Sequence, residues 1–311
     1  MPSPSLSLVF AGSPAAAVPS LRVLAGSDHR ISAVLTREDA PHGRRGTLTA
    51  TPVAQEASEL GIRVIRANRL AGEATDVVAE LAPDLGVIVA YGGLVREPLL
   101  STPRLGWINL HFSLLPRWRG AAPVQRSIIA GDDLTGATVF QLVPELDAGD
   151  IYGQLTQPIG ALETAGHLLA SLADTGAELL LRVVDNLADG TARAEPQAGD
   201  VTVAPKLSLE DGRIDWSTSA ISVANLIRGV TPEPGAFTTL DGARVKVLDS
   251  AIARDAPRLE AGVFELDGRR LLAGTATDPL ELLTVQPAGK KPMSASDWWR
   301  GRPADAGRVA Q

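Results

Sequence analysis

The sequence predicts an α/β domain with a mostly parallel sheet, followed by a small β-barrel domain. Three observations predict it. Apolar strand-like runs alternate with helix-like stretches through the first 187 residues, as βαβ units with right-handed crossovers require. Residues 85–90 (LGVIVA) form an almost wholly apolar run, expected of a parallel strand covered on both faces. After Lys206 the pattern changes to short apolar runs broken by Asp241-Gly242 and Asp267-Gly268. Asp-Gly between such runs is a hairpin signal, because both central positions of the tight turn need positive φ.

Residues 5–11 read as a buried strand ending at Gly12, 15–25 as a helix and 31–36 as the second strand. A helix over 52–60, a short strand at 63–65 and a helix over 71–81 lead into the apolar strand at 85–90. Further strands are expected from Trp107, at 137–143 and at 151–154, with a long closing helix over 167–187. This gives a first domain over 1–188. Residues 189–207 are polar at first and rich in Gly, Ala and Pro, an extended linker. The second domain spans 208–311, with strands at 236–240, 245–248 and 263–266.

The balance of 45% hydrophobic and 21% charged residues in 311 suits two globular domains. There is no cysteine, which excludes disulfides and thiolate metal sites. No basic-then-apolar leader and no bilayer-length apolar run is present, so a cytoplasmic protein is expected. The net charge of −7 speaks against general affinity for nucleic acid. Binding responds to the local field, however. Basic residues gather at Arg37, Arg44 and Arg45, and again at Lys290, Lys291, Arg300, Arg302 and Arg308.

Asn109 and His111 stand two apart at the end of the segment Trp107-Ile108-Asn109-Leu110-His111. On a strand they project to the same face. The C-terminal edge of an open α/β sheet is where such folds place ligands. An amide donor beside an imidazole can hold a developing oxyanion and move a proton, or simply satisfy loop backbone. The loop that follows, from Pro116 to Pro123, sets Trp118 between Arg117 and Arg119, suited to an aromatic or anionic ligand or to packing on the sheet. Asp147, in Leu146-Asp147-Ala148-Gly149-Asp150, either forms an Asx-turn or, if the fold brings it to His111, orients the imidazole. The remaining histidines, His29, His42 and His167, read as surface residues.

The stretch Ile108 to Gln125 (INLHFSLLPRWRGAAPVQ) resembles the signature of the folate-dependent formyltransferases. The likeness is strongest to members that formylate methionyl initiator tRNA. Weaker matches follow in order: residues 9–14, 89–92, 146–150, Lys206-Leu207-Ser208, 213–216 and 286–291. The resemblance implies a Rossmann-like first domain and an OB-type barrel that helps hold the tRNA acceptor arm. It implies 10-formyltetrahydrofolate as formyl donor, no metal, and Asn109, His111 and Asp147 as the catalytic residues. Val89, Ala90, Tyr91 and Gly92 would lie by the folate pteridine, with Ser113, Leu114, Leu115 and Pro116 part of the carrier site. The loop 37–51 would face the tRNA, and Arg44, Arg45, Lys206, Lys290 and Lys291 would contact it. The enzyme is read as a cytoplasmic monomer serving translation initiation.

The chain departs from that pattern in its RNA-facing parts. The loop 37–51 carries Glu38, Asp39 and only two arginines at its tip, Glu233 stands where a Trp is common, and the basic C-terminal stretch ends in Asp305 and uncharged residues. Two other formyltransferase readings stay open, a small amine and a sugar nucleotide as acceptor. The small-amine reading is weakened because Gly12-Ser13-Pro14 offers a poor phosphate cradle, proline having no N–H. A nucleotide-dependent oxidoreductase is excluded by the missing glycine fingerprint after the first strand. A non-catalytic RNA-binding module would leave Asn109, His111 and Asp147 without a role.

Overall fold

The computed structural model describes residues 4–42, 47–303 and 305–310. In chain order the elements are β1 (Ser7–Gly12), α1 (Val18–Ala25), β2 (Arg30–Thr36), β3 (Ala40–His42), β4 (Thr47–Thr49), α2 (Pro52–Glu59), β5 (Val64–Arg66), α3 (Glu73–Leu81), β6 (Leu85–Val89), β7 (Trp107–His111), β8 (Arg119–Gly120) and α4 (Pro123–Ala130). They continue with β9 (Leu134–Gln141), β10 (Ile151–Pro158), α5 (Ala165–Ala188), β11 (Val203–Ala204), α6 (Ala220–Gly229), β12 (Ala236–Leu240), β13 (Ala243–Ile252), β14 (Phe264–Asp267), β15 (Arg270–Ala273), β16 (Leu280–Pro287), β17 (Met293–Ser294) and α7 (Ala295–Arg300). Two compact units result: Met1–Pro123 with Leu134–Pro158 and Leu169–Ala204, and Val124–Asp133 with Ile159–Leu168 and Pro205–Gln311.

The first unit is built on a seven-stranded sheet in the order β10-β9-β7-β6-β1-β2-β5. β5, β2, β1, β6 and β7 run parallel; β9 and β10 are antiparallel additions at one side. This is the Rossmann-like, mostly parallel sheet expected. The apolar run of β6 is fully buried, as its composition requires. Gly86 in β6 pairs with Trp107 in β7, and a Cβ on Gly86 would fall inside the Trp107 indole, so the glycine makes the room that the ring fills. Trp107 Nε1 donates to Leu99 O at 2.8 Å, which satisfies its one polar atom in the core. Alternation then decides the rest of β7. Trp107, Asn109 and His111 share one face, while Leu110 on the other packs against Gly176 of α5.

The second unit carries an antiparallel sheet in the order β12-β13-β16-β15-β14, with β17 added on β16. β12 and β14 end this path, and the sheet curls as a half-barrel. Its core holds Trp216, Phe264, Leu271, Leu282 and Trp298, with Trp216 and Phe264 edge to face at 5.4 Å. Trp216 Nε1 donates to Thr238 Oγ1 at 3.0 Å, so the segment 213–216 is a core motif. Arg302, grouped by sequence with the basic C-terminal residues, lies over Trp299 at 4.5 Å and is paired with Asp241.

The sequence reading of His29 as a surface residue is corrected. Its ring is buried, accepts at Nδ1 from Leu6 N–H at 3.2 Å and meets Asp185 through Nε2 at 3.0 Å. Leu6, just before β1, bonds to it, a contact that local composition does not signal.

Candidate active site

β7 delivers Asn109 and His111 to the C-terminal edge of the sheet, in register with Phe140 and Thr138 of β9. His111 is buried, its ring edge to face with Phe140 at 6.4 Å. Its Nε2 lies 2.8 Å from Trp118 O. A carbonyl only accepts, so Nε2 carries the proton and donates. Nδ1 is then the one ring nitrogen left for chemistry, and it lies 3.8 Å from Asp147 Oδ2. That is beyond hydrogen-bond length. Burial pushes the His111 pKa down, against the opposing pull of the Asp147 charge and of the bond to Trp118. The ring is therefore neutral near pH 7 and presents a lone pair at Nδ1. With the proton on Nε2, Nδ1 of the neutral ring accepts a hydrogen bond and does not donate one.

Asp147 is held from two sides. Gly120 N–H donates to its Oδ2 at 2.7 Å, and Gln197 Nε2 donates to its backbone carbonyl at 2.8 Å. Asp147 has φ 46°, Trp118 φ 62° and Ala90 φ 49°, so three non-glycine residues around the sheet edge sit in the left-handed region. Each costs of order 1 kcal/mol or more and persists only because surrounding bonds enforce it. Asn109 is partly exposed, and its amide makes no hydrogen bond among the described residues, which leaves it able to donate to a ligand.

The other predicted residues divide clearly. Val89 is buried at the end of β6, while Ala90 and Gly92 are exposed in the loop after it. Tyr91 turns into the core, with its hydroxyl donating to Ala67 O at 2.5 Å, so only its backbone remains at the edge. Ser13 ties three edge loops together: its hydroxyl donates to Tyr91 O at 3.4 Å and accepts from Arg37 N at 3.2 Å and from Thr36 Oγ1 at 3.4 Å. Ser113 is buried and caps its own loop by donating to Arg117 O at 2.7 Å. Leu114, Leu115 and Pro116 line a groove of about 460 Å³ with Arg117 and residues 198–200 and 202. Its volume is in the range of small-molecule sites. Lys206, Lys290 and Lys291 are exposed in the second unit, with no ion pair among the described residues. Arg44 and Arg45 lie outside the described residues.

Sequence reasoning passed over Gly120, Gln197 and Thr202, and read Arg119 as ligand-facing where the structure sets it on Gln197. Thr202 Oγ1 accepts from Trp118 N–H at 2.8 Å, and β11 pairs with β8, so the 197–204 segment holds both Trp118 and Asp147. The available signal was Gly120, whose φ of 123° only glycine adopts readily.

Among the described residues no group of three or more His, Cys, Asp or Glu side chains is placed to hold a metal ion, and no helix is long and apolar enough to cross a membrane. Residues 7–184 match the Formyl transferase family and 206–303 its Formyl transferase, C-terminal domain. The chain is 59% identical over 295 residues to the methionyl-tRNA formyltransferase of Clavibacter sepedonicus, covering 94% of this chain and 96% of that one. It is 59% identical over 299 residues to the protein of that name from Leifsonia xyli subsp. xyli, covering 96% and 98%. Among solved structures, an N-formyltransferase from Helicobacter canadensis with folinic acid and dTDP-3-aminofucose superposes with a TM-score of 0.69 at 17% identity, over 91% of this chain and 99% of that one. HypX from Aquifex aeolicus with tetrahydrofolic acid gives 0.60 at 16%, over 95% and 47%. These two share the fold. Matched across both units and nearly end to end with its relatives, the chain belongs to the formyl transferase family and is a formyltransferase.

Proposed function

We propose that this chain transfers the formyl group of 10-formyltetrahydrofolate to the α-amine of methionyl initiator tRNA, in the cytoplasm. The observation that carries the chemistry is the buried, neutral His111, whose one uncommitted nitrogen faces Asp147 beside the unpartnered amide of Asn109. The name carried by relatives at 59% identity supplies the acceptor.

The donor fits the chain's own residues. The exposed backbone at Ala90 and Gly92 offers hydrogen-bonding groups to a pteridine edge, and the groove along Leu114, Leu115 and Pro116 offers an apolar wall that ends at the exposed Arg117. When bound, the folate supplies an electrophilic formyl carbon on N10. An amine nitrogen about 2.9 Å from both His111 Nδ1 and Asp147 Oδ2 is geometrically accessible, because those atoms are 3.8 Å apart. His111 takes the amine proton through Nδ1 as the new carbon–nitrogen bond forms. Asp147 stabilises the resulting imidazolium. Asn109 donates to the formyl oxygen where negative charge develops. The carbon–N10 bond then breaks, and the proton held by His111 passes to N10. Lys206, Lys290 and Lys291 serve phosphates of the tRNA, and Arg44 and Arg45 have the same role in the loop 37–51.

The test is an acceptor panel with 10-formyltetrahydrofolate as donor: methionyl initiator tRNA, methionyl elongator tRNA, and amino-sugar nucleotides of the kind bound by the Helicobacter canadensis enzyme. Formylation of the initiator tRNA alone is expected. Preferential formylation of a sugar nucleotide overturns the choice of acceptor and leaves the transfer chemistry standing.

A further inference from the structure

Gln197 lies in the Gly-, Ala- and Pro-rich stretch that follows α5, where the sequence offers no chemical motif. Its side chain nevertheless uses every hydrogen-bonding position it has. Oε1 accepts from Arg119 Nε at 3.1 Å and from Arg119 Nη2 at 2.6 Å. Nε2 donates to Asp147 O at 2.8 Å and to Gly149 O at 2.9 Å. The orientation of the amide is unambiguous: guanidinium only donates and backbone carbonyls only accept. Both carbonyls belong to the turn that carries Asp147 in its left-handed conformation. The residue after Arg119, Gly120, donates its N–H to the Asp147 carboxylate at 2.7 Å. One dipeptide therefore grips Asp147 twice, at the side chain through Gly120 and at the main chain through Arg119 and Gln197. The grip is anchored by β8–β11 pairing, which joins Arg119 to Val203 and Gly120 to Ala204.

We propose that Gln197 and Arg119 are positioning residues for formyl transfer: a two-residue clamp that fixes the turn 147–149 so that the Asp147 carboxylate faces His111. The proposal rests on the reading of Asp147 as a catalytic group. Among the described residues no group other than Gln197 donates to Asp147 O or Gly149 O, so without it a residue with φ 46° is free to relax toward commoner backbone conformations. The carboxylate then swings away from Nδ1. A displacement on the scale of 1 Å in an active-site group costs on the order of 100-fold in rate.

Two substitutions separate the clamp from mere packing. Gln197→Met keeps the length and removes all four bonds. Gln197→Glu keeps an acceptor for Arg119 but sets a carboxylate against two carbonyl oxygens. Both should lower kcat by roughly 10- to 100-fold while KM for the formyl donor stays within about twofold. A lowered fraction of folded enzyme would also reduce kcat, so the deciding readout is the pH profile of kcat/KM. Asp147 is the charged group that raises the pKa of His111; the neighbouring Arg117 and Arg119 lie over the Trp118 ring and on Gln197. If the clamp is lost and Asp147 moves off, His111 releases its proton more readily and the acidic limb shifts to lower pH. Asp147→Asn, measured alongside, sets the largest shift obtainable. A fall in kcat with a shifted acidic limb in both Gln197 variants supports the clamp. Normal kcat, or a fall with an unmoved limb, overturns it while a dead Asp147→Asn leaves the catalytic reading intact. An Asp147→Asn enzyme with near-normal turnover overturns the reading of Asp147 and the clamp with it.

Discussion

Replacing Gly120 by alanine should slow formyl transfer without unfolding the protein. Gly120 has φ 123°, a conformation that costs an L-residue about 1–3 kcal/mol. Its new Cβ would stand 2.7 Å from Ala204 O, where ordinary contact begins near 3.4 Å, so one of the two must give by 3.4 − 2.7 = 0.7 Å. Ala204 O is pinned, since it accepts from Ala121 N–H at 2.9 Å and Ala122 N–H at 3.1 Å. The Gly120 side must therefore move. Its 2.7 Å bond to Asp147 Oδ2 would stretch by a comparable amount and be lost as a charge-assisted hydrogen bond. The expected result is a loss of about 2–4 kcal/mol in stability from backbone strain plus overpacking, and a fall in kcat of roughly 10- to 100-fold. Single-turnover formylation, run where far- and near-UV circular dichroism report a folded protein, measures the second quantity. Gly190→Ala is the control: φ is 69° there too, but nothing lies within 4 Å of the new Cβ, so stability should fall by about 1 kcal/mol with kcat unchanged. A Gly120→Ala enzyme with kcat within twofold of the parent refutes the idea that the Gly120 N–H holds Asp147 for catalysis.

Gly86→Ala puts a methyl group into the Trp107 indole and should cost about 3 kcal/mol or more, read from urea unfolding; an unchanged midpoint would mean that the β6–β7 contact can yield. Asp211→Asn tests a structural carboxylate of the second unit. Ser208 side-chain and backbone donors, then Arg126, hold its pKa down from 3.8 to about 2. A depressed carboxylate stabilises the fold above its unfolded pKa and ceases to do so as pH falls through its folded pKa, so the variant should lose on the order of 1–2 kcal/mol at pH 7 and the difference should shrink between pH 4 and 2. A pH-independent difference contradicts that origin. Replacing Lys290 and Lys291 together by alanine should weaken tRNA binding and flatten the slope of log K against log salt by about one to two; an unchanged slope assigns both lysines to solvated surface.

What was legible in the sequence is what local pattern controls. The apolar run at 85–90 read as a covered parallel strand and is one over 85–89, and the two-residue spacing of Asn109 and His111 on the following strand put both on one face at the sheet edge. Asp241-Gly242 forms the turn between β12 and β13, while Asp267 still pairs with Arg270 and the turn between β14 and β15 is Gly268-Arg269. The bonds that organise the site were not legible. Gln197 meets Arg119 across 78 positions and Asp147 across 50, and β8 and β11 are two residues each, too short for periodicity to register. Helices α4 and α6 were not read, although at 8 and 10 residues they are no shorter than α1 and α2. β16 buries Leu280, Leu282, Val285 and Pro287, and its alternation slips at Leu283-Thr284. Tyr91 shows the opposite limit: motif position placed it beside the carrier, and only the fold shows that its ring belongs to the core. His29 is the same case on a strand start.

The central claim, that Asn109, His111 and Asp147 carry the transfer, is tested most directly by single-turnover formylation of methionyl initiator tRNA with Asn109→Ala, His111→Ala and Asp147→Ala, each saturated with 10-formyltetrahydrofolate and each verified as folded. Each of the three should slow the chemical step by roughly two to three orders of magnitude. A folded variant that turns over within about threefold of the parent contradicts the role assigned to that residue, and His111→Ala doing so would remove the base on which the mechanism depends.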